Sequence, residues 1–185
     1  MSAPVWSVRA DWTEPLRNRW TLPGCAVLAL ALGVRVGWGA SLPAFVFLGV
    51  LCVLLGAVDV ALKRLPDPLT LPSVPIAAAL LLIADPSRWT GMLAGAGLLF
   101  LVFAVQWFIV PNAIGIGDVK LTLVLGLYLG WLGRTGWVTG LFGMFVLGGL
   151  FALGLLVSGR AGRKDQVPYG PFMLAGTLLA VLLHA

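Results

Sequence analysis

Residues 42–64, LPAFVFLGVLCVLLGAVDVALKR, decide the fold. Leu42 to Leu62 carries a single charged residue, Asp59, and the run stops at Lys63-Arg64. At about 1.5 Å per residue, a helix of this length reaches about 30 Å, the thickness of the hydrocarbon layer of a bilayer. Backbone in hydrocarbon must satisfy its own hydrogen bonds, so the run is expected to be a membrane-spanning helix. Its polar/apolar pattern does not alternate, which excludes a barrel strand.

The rest of the 185 residues reads the same way. Sixty per cent are apolar and 10% are charged, with a mean hydropathy of +1.02. An ordinary soluble domain carries about 25% charged residues. Six further apolar segments are expected, at Leu22–Val36, Leu69–Ala84, Trp89–Val110, Asp118–Leu132, Trp137–Val157 and Val167–Leu183. Pro72 and Pro75 open the Leu69 segment, and Asp85-Pro86-Ser87-Arg88 forms a turn. The first, third, fifth and seventh segments are short for a full span. The fold class is therefore all-α, a polytopic transmembrane bundle of about six to seven membrane segments, preceded by a mixed, Trp-rich stretch at 1–21. That stretch lacks the apolar core of a cleavable signal peptide. Glycines at 95, 97, 140, 143, 148 and 149 are expected to let helices approach closely.

Charge sets the orientation. With the N-terminus in the cytoplasm and the segments alternating, nine basic residues fall inside: Arg9, Arg17, Arg19, Lys63, Arg64, Lys120, Arg160, Arg163 and Lys164. Three fall outside: Arg35, Arg88 and Arg134. The excess of cytoplasmic Lys and Arg is the usual topological signal. It also reads the net charge of +5 as membrane topology and gives no reason to infer nucleic acid as a partner. Cys25 and Cys52 lie in apolar stretches and no C-x-x-C occurs, so neither a zinc site nor a disulfide framework is expected.

Of the seven acids, five have solvated readings. Asp11 and Glu14 lie in the N-terminal stretch, Asp67 in a loop between prolines, Asp85 in a turn and Asp165 in a basic loop. Asp59 and Asp118 differ, since both fall at the cytoplasmic rim of the hydrocarbon layer, where a carboxylate is costly and marks function by default. Each has a structural alternative: Asp118 as the cap of the helix it opens, and Asp59 as the partner of Lys63 one turn on. Two such residues at one depth favour chemistry. Paired carboxyls a few ångströms apart do not both ionise easily; one activates water while the other, protonated, polarises the scissile carbonyl. They titrate as a pair, so acid and base are not assigned individually. A Ser/His alternative is not available, because the single histidine, His184, falls at the opposite end as a solvated tail residue. No cofactor or metal is called for.

Gly115-Ile116-Gly117-Asp118-Val119-Lys120-Leu121 resembles the G-x-G-D-x-K-L signature of type IV prepilin peptidases, a branch of the G-x-G-D intramembrane aspartyl proteases. Residues 59–72, DVALKRLPDPLTLP, are similar to that family's D-(x)5-hydrophobic-P-D/N-x-L-T segment, and Val167-Pro168-Tyr169-Gly170-Pro171-Phe172 to its late (I/V)-P-(F/Y)-G-P motif. The resemblance covers about residues 22–183. It implies that Asp59 and Asp118 are the catalytic pair of a membrane-embedded peptidase domain at 22–185, behind a cytoplasmic segment at 1–21. It implies an aspartic endopeptidase of the bacterial inner membrane, cutting the N-terminal leader of prepilins or pseudopilins at the cytoplasmic boundary. Gly115 and Gly117 are expected to leave room for a substrate strand beside Asp118. Pro168, Gly170 and Pro171 are read either as lining the same mouth or as a helix-entry turn. Lys120 is read as marking the cytoplasmic rim, with electrostatic bias on the pair as the alternative. The sequence lacks the paired C-x-x-C motifs of the family's larger members, so the likeness is to the short form, and N-methyltransferase activity is not expected. The alternative function is a small proton- or cation-coupled transporter subunit using the same two aspartates.

Overall fold

The computed structural model describes residues 12–109, 114–158 and 168–185, and those residues form an all-helical membrane protein. Val110, Pro111–Ala113 of the following loop, the Val167 start of the last segment, Arg9, Asp11, Arg160, Arg163, Lys164 and Asp165 lie outside the described residues. Seven α-helices follow in order: α1 Thr21–Val36, α2 Leu42–Leu62, α3 Asp67–Ala84, α4 Trp89–Ile109, α5 Ile116–Trp131, α6 Gly133–Val157 and α7 Gly170–His184. Short 3-10 turns at Pro15–Arg17 and Pro86–Arg88 precede α1 and α4. Helices α2, α3, α4 and α6 are long and apolar enough to cross a bilayer, and α1 and α7 are shorter apolar helices.

Several starts differ from expectation; α7, for one, begins at Gly170, past the non-helical Pro168 and Tyr169. Helix α3 begins at Asp67, with Pro68 in its first turn, where the fixed proline φ suits a helix and the missing N–H costs nothing. Pro72 and Pro75 therefore lie inside α3. Helix α6 begins at Gly133, because that residue turns the chain sharply with φ +86° directly after α5. Helix α5 begins at Ile116, two residues before Asp118.

The helices run up and down. At one end Arg35 at the close of α1 donates from Nε to the Leu182 carbonyl of α7 at 2.7 Å. Arg88 donates to the Trp131 carbonyl at 3.0 Å and stacks 4.3 Å from its ring, and Tyr128 donates to the Ala44 carbonyl at 2.7 Å. His184, exposed as expected, pairs with Thr139 at 2.9 Å at this end. Asp85 there accepts from the Ser87 N–H and hydroxyl and from Arg88. The opposite end gathers the close of α2 and the starts of α3, α5 and α7.

Helix α5 is central. Eleven of its sixteen residues are buried, including Leu121, Leu125, Tyr128 and Leu129, so it lies inside the bundle despite being short for a span. It seats on α4 through glycines. A Cβ on Gly126 would stand 2.5 Å from the Ala96 Cα, and one on Gly95 would stand 2.5 Å from the Gly130 Cα. On Gly130 it would strike the Gly91 carbonyl. Helix α7 seats on α6 alike, where a Cβ on Gly176 would come 2.5 Å from the Met144 nitrogen. Gly95, Gly140, Gly143 and Gly148 thus stand at close approaches, whereas Gly97 and Gly149 face open space. Outward-facing Leu93, Leu101, Phe142 and Leu150 are well exposed, the expected dress of a lipid-facing surface.

Candidate active site

Asp59 lies one turn before the end of α2. That helix closes at Lys63, whose left-handed backbone (φ 51°) lets its N–H bond to the Asp59 carbonyl at 2.8 Å. Lys63 thus ends the helix under Asp59 through its main chain. The Asp59 side chain turns inward and is 3% exposed. Its Oδ2 is buried and accepts no hydrogen bond, although the Gly170 N–H faces the carboxylate. An orphaned buried oxygen is costly, and such groups mark sites where chemistry or a missing partner is at stake.

Asp118 is the third residue of α5, so it does not cap the helix as the first reading allowed. Gly115 is the N-cap, and the Asp118 Oδ2 reaches back to accept its N–H at 3.2 Å. This is the acidic half of a capping box. Asp118 is 7% exposed and lies within electrostatic reach of Asp59. The structure thus brings together two acids that are 59 positions apart in the chain.

The surrounding motif residues take distinct places. Gly170 is the tightest: a Cβ there would stand 2.6 Å from Asp59 Oδ2 and 3.1 Å from its Cγ. Pro171 sits in the first turn of α7, so the late motif is a helix entry and also a wall against Asp59. Pro168 is half-buried just ahead of it. Tyr169 lies within electrostatic reach of Asp118, its ring rests on Gly148, and its hydroxyl reaches the Met144 carbonyl at 3.4 Å. The space at Gly117 is taken by this chain itself: a Cβ would stand 3.1 Å from the Leu65 Cβ. At Gly115 it would meet Asp118 Oδ2 at 3.4 Å. Room for a substrate strand is therefore not found at Gly117.

Lys120 does not turn to the acids. Its Nζ grips Asp67 at 2.7 and 2.9 Å across the start of α3. Asp67, read from sequence as a solvated loop acid, is exposed as expected but is the first residue of α3 and the partner of Lys120. The P-D-x-L-T and D-x-K-L motifs held the signal for this pair, since each contributes one of the two charges. Among the described residues no group of three or more His, Cys, Asp and Glu is placed to hold a metal ion. An open groove runs along another face of α2, past Val53, Gly56, Ala57 and Val60, and is bordered by Trp20 and Thr21; neither acid lines it.

The model of the type IV leader peptidase family matches residues 45–157, a span that includes both acids. The chain belongs to the type IV leader peptidase family. It is 31% identical over 158 residues to the prepilin leader peptidase/N-methyltransferase of Bacillus subtilis (strain 168), covering 85% of this chain and 62% of that one. It is 32% identical over 174 residues to the protein of that name from Burkholderia pseudomallei (strain 1026b), covering 88% and 54%. Leader peptidase HopD of Escherichia coli is 29% identical over 143 residues, 74% of this chain and 90% of that one. The chain thus spans a little over half the length of the two larger relatives. No solved structure matches it. The Pro168–Pro171 stretch lies beyond the span of the family match, so its place against Asp59 is a finding of the structure.

Proposed function

We propose that this leader peptidase family member is an aspartic endopeptidase that removes the N-terminal leader of type IV prepilins or pseudopilins. The observation that carries the reading is the meeting of Asp59 and Asp118, both buried, at one end of the bundle. Two carboxyl groups brought close enough to share a site hold one proton between them. The ionised member takes a proton from water as it attacks the scissile carbonyl. The protonated member donates to the carbonyl oxygen; the member that took the water's proton then passes it to the departing amine, and the first takes its own proton back as the carbonyl reforms. Burial keeps bulk water from the pair, and the free Oδ2 of Asp59 offers an acceptor for the attacking water.

The starts of α5 and α7 both face the pair, so backbone N–H groups surround it on two sides. The names of the relatives support leader peptides as substrates. The charge asymmetry supports an inner-membrane protein with residues 1–21 and the Asp59–Asp118 end in the cytoplasm, and residues 22–185 as the peptidase domain. Neither the geometry nor the relatives favour the transporter alternative.

The test is to place the full chain in lipid vesicles with a purified type IV prepilin and follow its mass. Release of the leader with one new N-terminus is expected. Intact prepilin, under conditions where the Bacillus subtilis relative cuts it, would overturn the reading.

A further inference from the structure

Helices α2 and α5 carry the two acids, yet their backbones are not packed against each other; each packs instead on α3 and α7. At the far end Phe45 meets Tyr128 and Trp131, with ring centroids 5.7 and 5.5 Å apart, and joins α2 to α5 through large side chains. At the near end, the spacing of the acids depends on what lies between the helices. Two bridges stand there. One is the start of α7, whose Gly170 presses on Asp59. The other is the short connection from α2 to α3. Its Leu65 packs on Gly117, next to Asp118, and two residues later Asp67 holds Lys120 with both carboxylate oxygens.

We propose that the Asp67–Lys120 ion pair is a positioning clamp that holds the first turn of α5 against the α2–α3 connection and so sets the separation of Asp59 and Asp118. Lys120 lies two residues after Asp118 and Asp67 eight after Asp59, so the pair closes a loop around the acids without touching them. One ammonium held by both carboxylate oxygens is a short, charge-assisted contact that fixes the distance between the starts of α3 and α5. The pair is partly open to solvent, with side chains 31% and 55% exposed, so its worth is geometric more than energetic. The clamp rests on the proposed peptidase reading only for its effect on rate; its effect on spacing stands apart from that reading.

Two readouts keep these separate. The first is prepilin cleavage by the full chain in vesicles. Lys120→Met is expected to lower kcat about tenfold or more with KM unchanged, because the substrate site is left intact while the acids are displaced. Lys120→Arg and the charge exchange Asp67→Lys with Lys120→Asp should each recover most of the loss.

The second readout needs no activity. With Cys25→Ala and Cys52→Ala as background, Asp59→Cys and Asp118→Cys are joined by the shortest bifunctional thiol reagents. Lys120→Met should cut the cross-linked fraction several-fold, and Lys120→Arg should restore it. An unchanged cross-linked fraction in Lys120→Met overturns the clamp, as does a loss in both readouts that neither Arg nor the charge exchange repairs. If the wild-type chain fails to cut prepilin while the cross-linking responds as stated, the clamp stands and the peptidase reading falls.

Discussion

Replacing Gly170 with alanine probes the closest contact of the site. The new methyl would stand 2.6 Å from Asp59 Oδ2, and ordinary contact begins about 0.8 Å farther out. Asp59 has a short side chain on a helix locked by the fully buried Leu55 and Val58, so the carboxyl group or the start of α7 must give way by most of that distance. Misplacing a reacting group by about 1 Å costs about a hundredfold in rate. That corresponds to about 2.7 kcal/mol of activation free energy. Overpacking of this size lowers stability by about 1–3 kcal/mol. The assay is steady-state prepilin cleavage in vesicles, paired with thermal unfolding in detergent. Gly170→Ala should drop kcat about a hundredfold, leave KM near its starting value and lower the melting temperature. A variant that keeps kcat within twofold would refute the claim that Gly170 holds Asp59 in place.

Two further outcomes concern the bundle and its far end. Gly126→Ala should destabilise by about 1–3 kcal/mol, because its methyl meets backbone atoms of α4 that yield only if the helices part. Gly97→Ala, facing open space, should instead stabilise by about 0.5–1 kcal/mol through helix propensity; thermal unfolding of the two variants reads the opposite signs. Asp85 is held below the usual carboxylate range by the Ser87 hydroxyl and N–H and then by Arg88. A depressed folded value stabilises above the unfolded value near pH 4 and is lost as pH falls through the folded one. Asp85→Asn should therefore lower the melting temperature at pH 7, and the difference should shrink as the pH falls below the unfolded value and vanish once it is below the depressed folded one.

How far these features were readable depends on which force decides each one. The bounds of α2 were legible to the residue, because an unbroken apolar run ending at Lys63-Arg64 leaves a membrane helix nowhere else to stop. The start of α5 was not. Ile116 and Gly117 read as loop residues on local propensity, yet they are helical because Asp118 reaches back to Gly115 and Leu65 packs onto Gly117. Local pattern also misplaced Asp67. Two flanking prolines suggest a loop, and only the packing of α3 on α5 shows that Asp67 begins a helix and meets Lys120. The two aspartates stood out because of their surroundings, since the hydrocarbon layer makes any carboxylate at its rim conspicuous. The late motif pointed to Gly170, but the physical reason for a glycine there needed coordinates, because a contact between α7 and α2 leaves no periodic trace in either segment.

The central claim is that Asp59 and Asp118 work as one catalytic unit, and prepilin cleavage by Asp59→Asn, Asp118→Asn and the double variant tests it most directly. Each single change should lower the rate about a thousandfold, and the double should be no slower than either, because a pair that shares one task is lost once. Either single variant cutting at the wild-type rate, or losses that multiply in the double, would contradict it.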